Sequence, residues 1–303
     1  MMETYLKYIQ NVRKLSDATV ISYRKDLTVW FEYLRKWEIA DDDIDKQIAR
    51  SFIGQLSREG LASSSINRKI SALKGYYDFL IKRKESPYNP FAGIKSMKLN
   101  RTLPVHLSDQ EISRLISFTA DDFKGQRDRL IFELLYSTGC RVSEICNMKC
   151  QDLLKSSPIV RGKGGKDRWV FVGSEARKAL SDYLPLREMN VQDKKNESLI
   201  LDAMGKSITA RGIYYIIEKY IIRAGLSKKV SPHTFRHSFA TGLMNEGADI
   251  RVVQELLGHS SISTTQIYTH TGIERLKQVY RKSHPHGKKK TMRESTLKIG
   301  DSL

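Results

Sequence analysis

Apolar residues recur at helical intervals through the first 85 residues of the chain. Val20, Tyr23, Leu27, Trp30, Phe31 and Leu34 form one stripe, Ile48, Phe52 and Leu56 a second, and Ile66, Ile70, Leu73, Tyr77 and Leu80–Ile81 a third. Spacings of three and four bring such side chains to one face of a helix, so each stripe predicts an amphipathic helix. Ser63-Ser64-Ser65 offers hydroxyls to cap the third. Pro87-Tyr88-Asn89-Pro90 breaks the pattern, and the run from Ile94 to Pro104 is short, basic and aperiodic. A helical domain over residues 1–94 and a linker over 95–104 are expected.

The pattern then resumes. Ser108, with Glu111 three residues on, has the form of a capping box. Leu130, Ile131, Leu134 and Leu135 make an apolar helix face that runs into Gly139. Ile159–Arg161 and Arg168–Val172 look like two strands joined by the glycine-rich turn Gly162–Asp167. Helical segments and polar turns alternate to about residue 283, where Leu276, Val279 and Tyr280 mark a short helix over residues 274–282. No internal repeat is evident. The expected fold class is mainly α, with a helical N-terminal domain and a mostly helical (α+β) second domain, residues 105–286, holding a small antiparallel sheet. The polar, basic run from His284, with Lys288-Lys289-Lys290 in a tail over 287–303, is expected to be disordered.

Composition agrees with two domains: 303 residues exceed one ordinary domain, and 40% hydrophobic residues can build real cores. The apolar runs are too short to span a bilayer, and Met1-Met2-Glu3-Thr4-Tyr5 is no signal peptide, so no membrane partner and a cytoplasmic location are expected. Charge changes the picture more. The net +18 divides into +6 over residues 1–100, +5 over 281–303 and +7 between, so both domains are basic and not merely the tail. A polyanion contacting both domains would account for that; charge alone also fits a generally basic protein. In the first domain, Arg24, Lys25, Ser64, Arg68, Lys69 and Lys74 are the candidate contacts to double-stranded DNA, since small hydroxyls and cations at helix starts suit phosphates. Three cysteines are too few for a disulfide framework. Cys146 and Cys150 fall at i and i+4 of an expected helix, but no second Cys/His pair accompanies them to complete a metal site.

The candidate chemistry lies in three islands. Arg141 stands in Gly139-Cys140-Arg141-Val142-Ser143-Glu144. His233 and Arg236 stand in His233-Thr234-Phe235-Arg236-His237. His259 follows Leu257-Gly258, and Tyr268 comes nine residues later. Two guanidinium groups can hold the oxygens of a phosphodiester, and a tyrosine oxygen can attack its phosphorus. At a pKa near 10, only about one tyrosine in a thousand is ionised at pH 7, so a base or strong oxyanion donors must help. His233 is the candidate base and His259 a candidate donor. Expulsion of the sugar oxygen needs a proton, for which Lys163 and Lys166 in the hairpin turn compete. That turn lacks the Gly-Lys-Ser/Thr ending of a P-loop. Any one of these residues, taken singly, is more often structural than catalytic.

Together the islands, with His233–Thr241 and Leu257–His270 taken whole, resemble the signature boxes of the tyrosine site-specific recombinases. The layout of a roughly 100-residue helical domain, a linker and a catalytic domain is most similar to their Xer type. The resemblance covers about residues 3–286. It implies that Arg141, His233, Arg236 and His259 activate the scissile phosphate and that Lys163, the first lysine of the turn, protonates the leaving 5′ oxygen. Tyr268 would be the nucleophile, giving a 3′-phosphotyrosyl intermediate that needs no ATP to rejoin. Arginines would stabilise charge, so no cofactor and no metal are implied. Phe235 and Gly242 stand where other members often carry Leu and His. The resemblance further implies a C-shaped clamp round DNA, which a ten-residue linker reaching roughly 30 Å at about 3.3 Å per residue allows. It implies a tetramer of this chain, or of it and a related recombinase, on two DNA sites, with the terminal helix docked on a neighbour; the helix's own pattern fits packing on its own domain as well. A DNA translocase is an open question as a further partner. Resolution of chromosome or plasmid dimers is the expected role; an integrase or invertase of a mobile element, a nicking and resealing enzyme, and a noncatalytic DNA-binding relative are the alternatives.

Overall fold

The structure is a computed structural model, which describes residues 1–99, 105–154, 158–161, 167–258 and 270–287. The chain divides into two compact units, Met1–Thr102 and Leu103–Leu303.

The first unit holds α1 (Met2–Asn11), α2 (Asp17–Lys36), α3 (Lys46–Arg58) and α4 (Ser63–Lys82). The three stripes turn inward as their spacing requires, with Leu27, Trp30, Phe52, Ile66 and Leu73 sealed from solvent; only Ile81 stays exposed. Trp30 is the hub. Its ring meets Phe52 and Phe91 edge-on at 4.9 and 5.1 Å, and its Nε1–H donates to Tyr77 Oη at 3.0 Å. α1 was not foreshadowed, because Tyr5, Leu6 and Ile9 are too few for a stripe. Asp45 caps α3 through the Ile48 amide at 2.8 Å. The serines do not cap α4: its N-cap is Ala62, so they occupy the first turn instead. Asn67 bonds both main-chain groups of Met97, at 3.0 and 2.7 Å. The first part of the expected linker is therefore tied to α4.

In the second unit, Ser108 and Glu111 form the expected capping box on α5 (Asp109–Ser117). α6 (Phe123–Thr138) is buried nearly all round, its polar Arg127 and Asp128 included, and α9 (Ser174–Asn190) and α11 (Pro232–Asn245) pack on it. α7 (Val142–Cys146) and α8 (Cys150–Leu154) are separate helices. Cys146 and Cys150 thus do not share a helical face, and no three His, Cys, Asp or Glu among the described residues gather as a metal site would require. β1 (Ile159–Arg161) pairs antiparallel with β2 (Asp167–Trp169), with Val160 opposite Arg168. β2 is shorter than expected; the Val170 amide makes one further bond to Pro158 O at 2.9 Å. α10 (Ala210–Arg223) completes the main core.

A second core joins α11, α12 (Ile250–Leu257) and α13 (His270–Ser283) through Phe239, Leu243, Val253, Leu256, Leu276 and Tyr280. The terminal helix therefore packs on its own unit here. His284, expected to begin a solvated tail, is fully buried: its ring stacks on Tyr280 at 5.0 Å, and the chain turns once more through Pro285–Gly287. No helix among the described residues is long and apolar enough to cross a membrane.

Candidate active site

The site is built where α6 ends. Gly139 takes the left-handed conformation (φ 57°) and stops the helix; a Cβ there would also lie 2.6 Å from the Phe239 ring. Two residues later Arg141 is the N-cap of α7. Its amide donates to Glu144 Oε2 and its Nη1 to Glu144 Oε1, both at 2.9 Å. Glu144 is almost fully buried, whereas about a third of the Arg141 side chain reaches solvent (29%). Arg141 is therefore held from behind by a carboxylate, with part of its guanidinium open to a ligand.

α11 begins at Pro232, which suits a first helical position, and the Ser231 amide donates to Thr234 Oγ1 at 3.0 Å. His233 and Arg236, three residues apart, share a face of that helix. His233 is exposed and Arg236 buried. Arg236 donates through Nη1 to Gly139 O at 2.7 Å and through Nη2 to Leu257 O at 2.5 Å. One side chain thereby ties together the turn before Arg141, α11 and the end of α12. Phe235 is a packing residue, stacked on Phe132 at 5.9 Å, and Gly242 faces open space.

Arg168 was not foreseen. It sits on β2, is buried, and donates to Glu144 Oε2 at 2.9 Å and to Leu256 O at 2.6 Å. A charged residue opening the apolar run Trp169–Val172 was the signal that could have found it. Glu144 was quoted as part of a motif but given no role. Arg141 and Arg168 thus share the Glu144 carboxylate, and Arg236 stands beside them with only main-chain carbonyls as partners. Burial first, then the neighbouring Arg141 and Arg168, push Arg236 down to about 10. Burial opposes the charge of Glu144, but Arg168 and the Arg141 amide prevail and hold its carboxyl below the usual range. The cluster carries more positive charge than it compensates. Such a surplus suits an anion with two oxygens to share.

Of the expected catalytic residues, then, Arg141 and Arg236 come together, and His233 lies on the helix of Arg236. Lys163, His259 and Tyr268 lie outside the described residues; chain connectivity puts Lys163 between β1 and β2, and His259 next after Gly258.

Residues 106–275 match the phage integrase family, and residues 2–84 match the phage integrase N-terminal SAM-like domain. The chain belongs to the phage integrase family. It is a tyrosine recombinase, an enzyme that cuts and rejoins DNA strands. It is 40% identical over 302 residues to the tyrosine recombinase XerC of Treponema denticola, which covers 94% of this chain and 99% of that one. It is 38% identical to the tyrosine recombinase XerD of Staphylococcus haemolyticus, over 94% of this chain and 98% of that one. Among solved structures, the XerH site-specific recombinase bound to palindromic difH substrate, in a post-cleavage complex, matches at a TM-score of 0.70 and 26% identity. That match covers 92% of this chain and 83% of the other. Relatives named XerC and XerD stand at nearly the same distance, so identity does not choose between those two names.

The first unit of the recombinase corrects one expectation. Lys69 is not on the solvated face: it is buried, its Nζ 3.0 Å from the fully buried Asp26. A buried cation must be paired, and Lys69 neutralises Asp26 where no phosphate reaches it. Arg68 also pairs with Asp26 but stays 43% exposed. Arg24 pairs with Glu3 at 2.8 Å, and Lys74 donates to Ala92 O at 3.2 Å. Both are exposed, as are Lys25 and Ser64.

Proposed function

We propose that Arg141, His233, Arg236 and His259 bind and activate the scissile phosphate, that Tyr268 attacks it and that Lys163 protonates the leaving 5′ oxygen. The Tyr268 Oη–phosphorus bond forms as the phosphorus–O5′ bond breaks, the tyrosine proton passing to a base for which His233 is the candidate. One observation supports this: Arg141 and Arg168 meet at the single Glu144 carboxylate with Arg236 close enough to feel both their charges, which leaves a surplus of positive charge around Arg141 and Arg236. Arg24, Lys25, Ser64, Arg68 and Lys74 are the proposed contacts of the first domain to double-stranded DNA.

The cellular role we propose is resolution of chromosome or plasmid dimers in the cytoplasm, by a tetramer on two DNA sites formed by this chain or with a related recombinase, and with a DNA translocase as activator. The 40% and 38% identity to proteins named XerC and XerD, over nearly their whole length, supports it. Sequencing the DNA trapped covalently on the protein in cells tests that role: one site near the replication terminus is expected, and trapped ends of a mobile element would replace it with integration. In vitro, Arg236→Ala should abolish the covalent adduct, and wild-type yield would remove the phosphate clamp. Cleavage should persist in chelator; strict magnesium dependence would contradict the arginine-based chemistry.

A further inference from the structure

We propose that Arg168 is a positioning residue that locks the hairpin carrying Lys163 to the phosphate-binding arginines. The inference rests on the roles just proposed for Lys163 and Arg141.

Arg168 is anchored on β2, directly opposite Val160 of β1, so its backbone belongs to the hairpin whose turn holds Lys163. Its guanidinium leaves the hairpin and ends among three other segments. Nη2 meets the Glu144 carboxylate of α7 at 2.9 Å and Cys140 Sγ, beside Arg141, at 3.4 Å; Nη1 meets Leu256 O at the end of α12 at 2.6 Å. Glu144 is shared with Arg141, so Arg141 and Arg168 each fix one edge of the same carboxylate. The α12 contact places a cation at the carbonyl end of a helix, where the macrodipole favours it, three residues before His259. Gly258 is shaped to this side chain: its φ is 66°, and a Cβ there would lie 2.7 Å from Arg168 Cδ.

The bonds need a planar fork. Two nitrogens of one rigid group donate in different directions, which a lysine ammonium on a single stem cannot reproduce. A bridge kept only for stability could be lost without slowing the molecules that still fold, although breaking it lowers stability. A bridge that registers the hairpin against the arginines could not, because misplacement by about 1 Å can cost on the order of 100-fold in rate.

The test compares two nicked duplexes containing the site mapped in cells. One has an ordinary phosphodiester at the cleavage point, the other a 5′-bridging sulfur. The sulfur leaves as a thiolate, with a thiol pKa near 8.5, and so needs no proton from Lys163. Arg168→Met and Arg168→Lys are assayed beside Lys163→Ala and Arg141→Ala, with DNA affinity and near-ultraviolet circular dichroism as controls for folding. Both Arg168 variants should bind DNA within about threefold of wild type and form adduct on the phosphodiester about 100-fold more slowly. Sulfur substitution should recover at least about tenfold of that loss, as for Lys163→Ala and unlike Arg141→Ala. If Arg168→Met does not fold, Arg168→Lys, which keeps the charge, carries the comparison. Wild-type rates in the folded variants, or an equal loss on both substrates, would overturn the positioning role. No adduct from the wild-type protein on either substrate would instead overturn the active-site assignment on which it rests.

Discussion

Glu144 decides how the arginine cluster behaves. With its side chain 1% exposed, it is the only carboxylate bonded to Arg141 and Arg168 among the described residues. Glu144→Gln should therefore leave Arg168 buried without a counter-charge and lower stability by about 3–5 kcal/mol, read from urea unfolding. Because its folded pKa is depressed, the stability Glu144 contributes is present above its ordinary value of 4.5 and lost as pH falls through the lower folded one. Asp26 plays the same part in the first unit. Asp26→Ala should cost a similar amount, about 3–5 kcal/mol, by stranding Lys69; a change below 1 kcal/mol would mean Lys69 escapes to water. Lys69 also shows where sequence reading failed: it lies three residues after Ile66 and four before Leu73, on the apolar stripe itself. Its charge argued for the surface and its spacing for the interior, and the spacing prevailed because Asp26 was there to pair with it. Arg141 and Arg236 were legible from their motifs, whereas the pairing of Glu144 with Arg168, 24 positions away, is a tertiary fact no local pattern encodes.

At the scale of elements, the strong stripes of α2, α3 and α4 and the capping box of α5 were legible because period and cap are written locally. The break between α7 and α8 was not, nor was the true start of α4, since each depends on what the neighbouring chain satisfies. α11 carries Gly242 in its interior with nothing within 4 Å of a Cβ. Gly242→Ala should thus stabilise the protein by about 0.5–1 kcal/mol in urea unfolding, by reducing the freedom of the unfolded chain. The segment after α13 holds a pH-dependent element. Burial foremost, and the neighbouring His286, push His284 down to about 3. Its unfolded form takes up a proton below about pH 6.5, whereas the folded form stays neutral to about 3. The stability it contributes is therefore complete above 6.5 and lost as pH falls towards 3. His286, 3.0 Å from Glu133, runs the other way: burial opposes its charge, but Glu133 raises it, so its contribution is lost as pH rises through that raised value. His284→Phe should isolate the first effect by flattening the fall in urea midpoint between pH 6.5 and 4; an unchanged slope would assign that fall to other groups.

For the whole molecule, the net charge of +18 distributed over both units is what a protein contacting many phosphates requires. DNA affinity should fall steeply and linearly with the logarithm of salt concentration, and a nearly flat dependence would mean that few phosphates are neutralised. The two-unit plan was readable from the hydrophobic stripes and the prolines between them, while the seating of the terminal helix on its own unit was not, because Leu276, Val279 and Tyr280 fit any apolar partner. The central claim is that this charge serves a covalent exchange at Tyr268. Its most direct measurement incubates the protein with a duplex nicked beside the cleavage point, so that the freed strand diffuses away, and maps the attached nucleotide by mass spectrometry. The wild-type protein should carry a 3′-phosphate on Tyr268, and Tyr268→Phe should bind the same duplex without forming an adduct. An adduct that survives Tyr268→Phe, or maps to another residue, would contradict it.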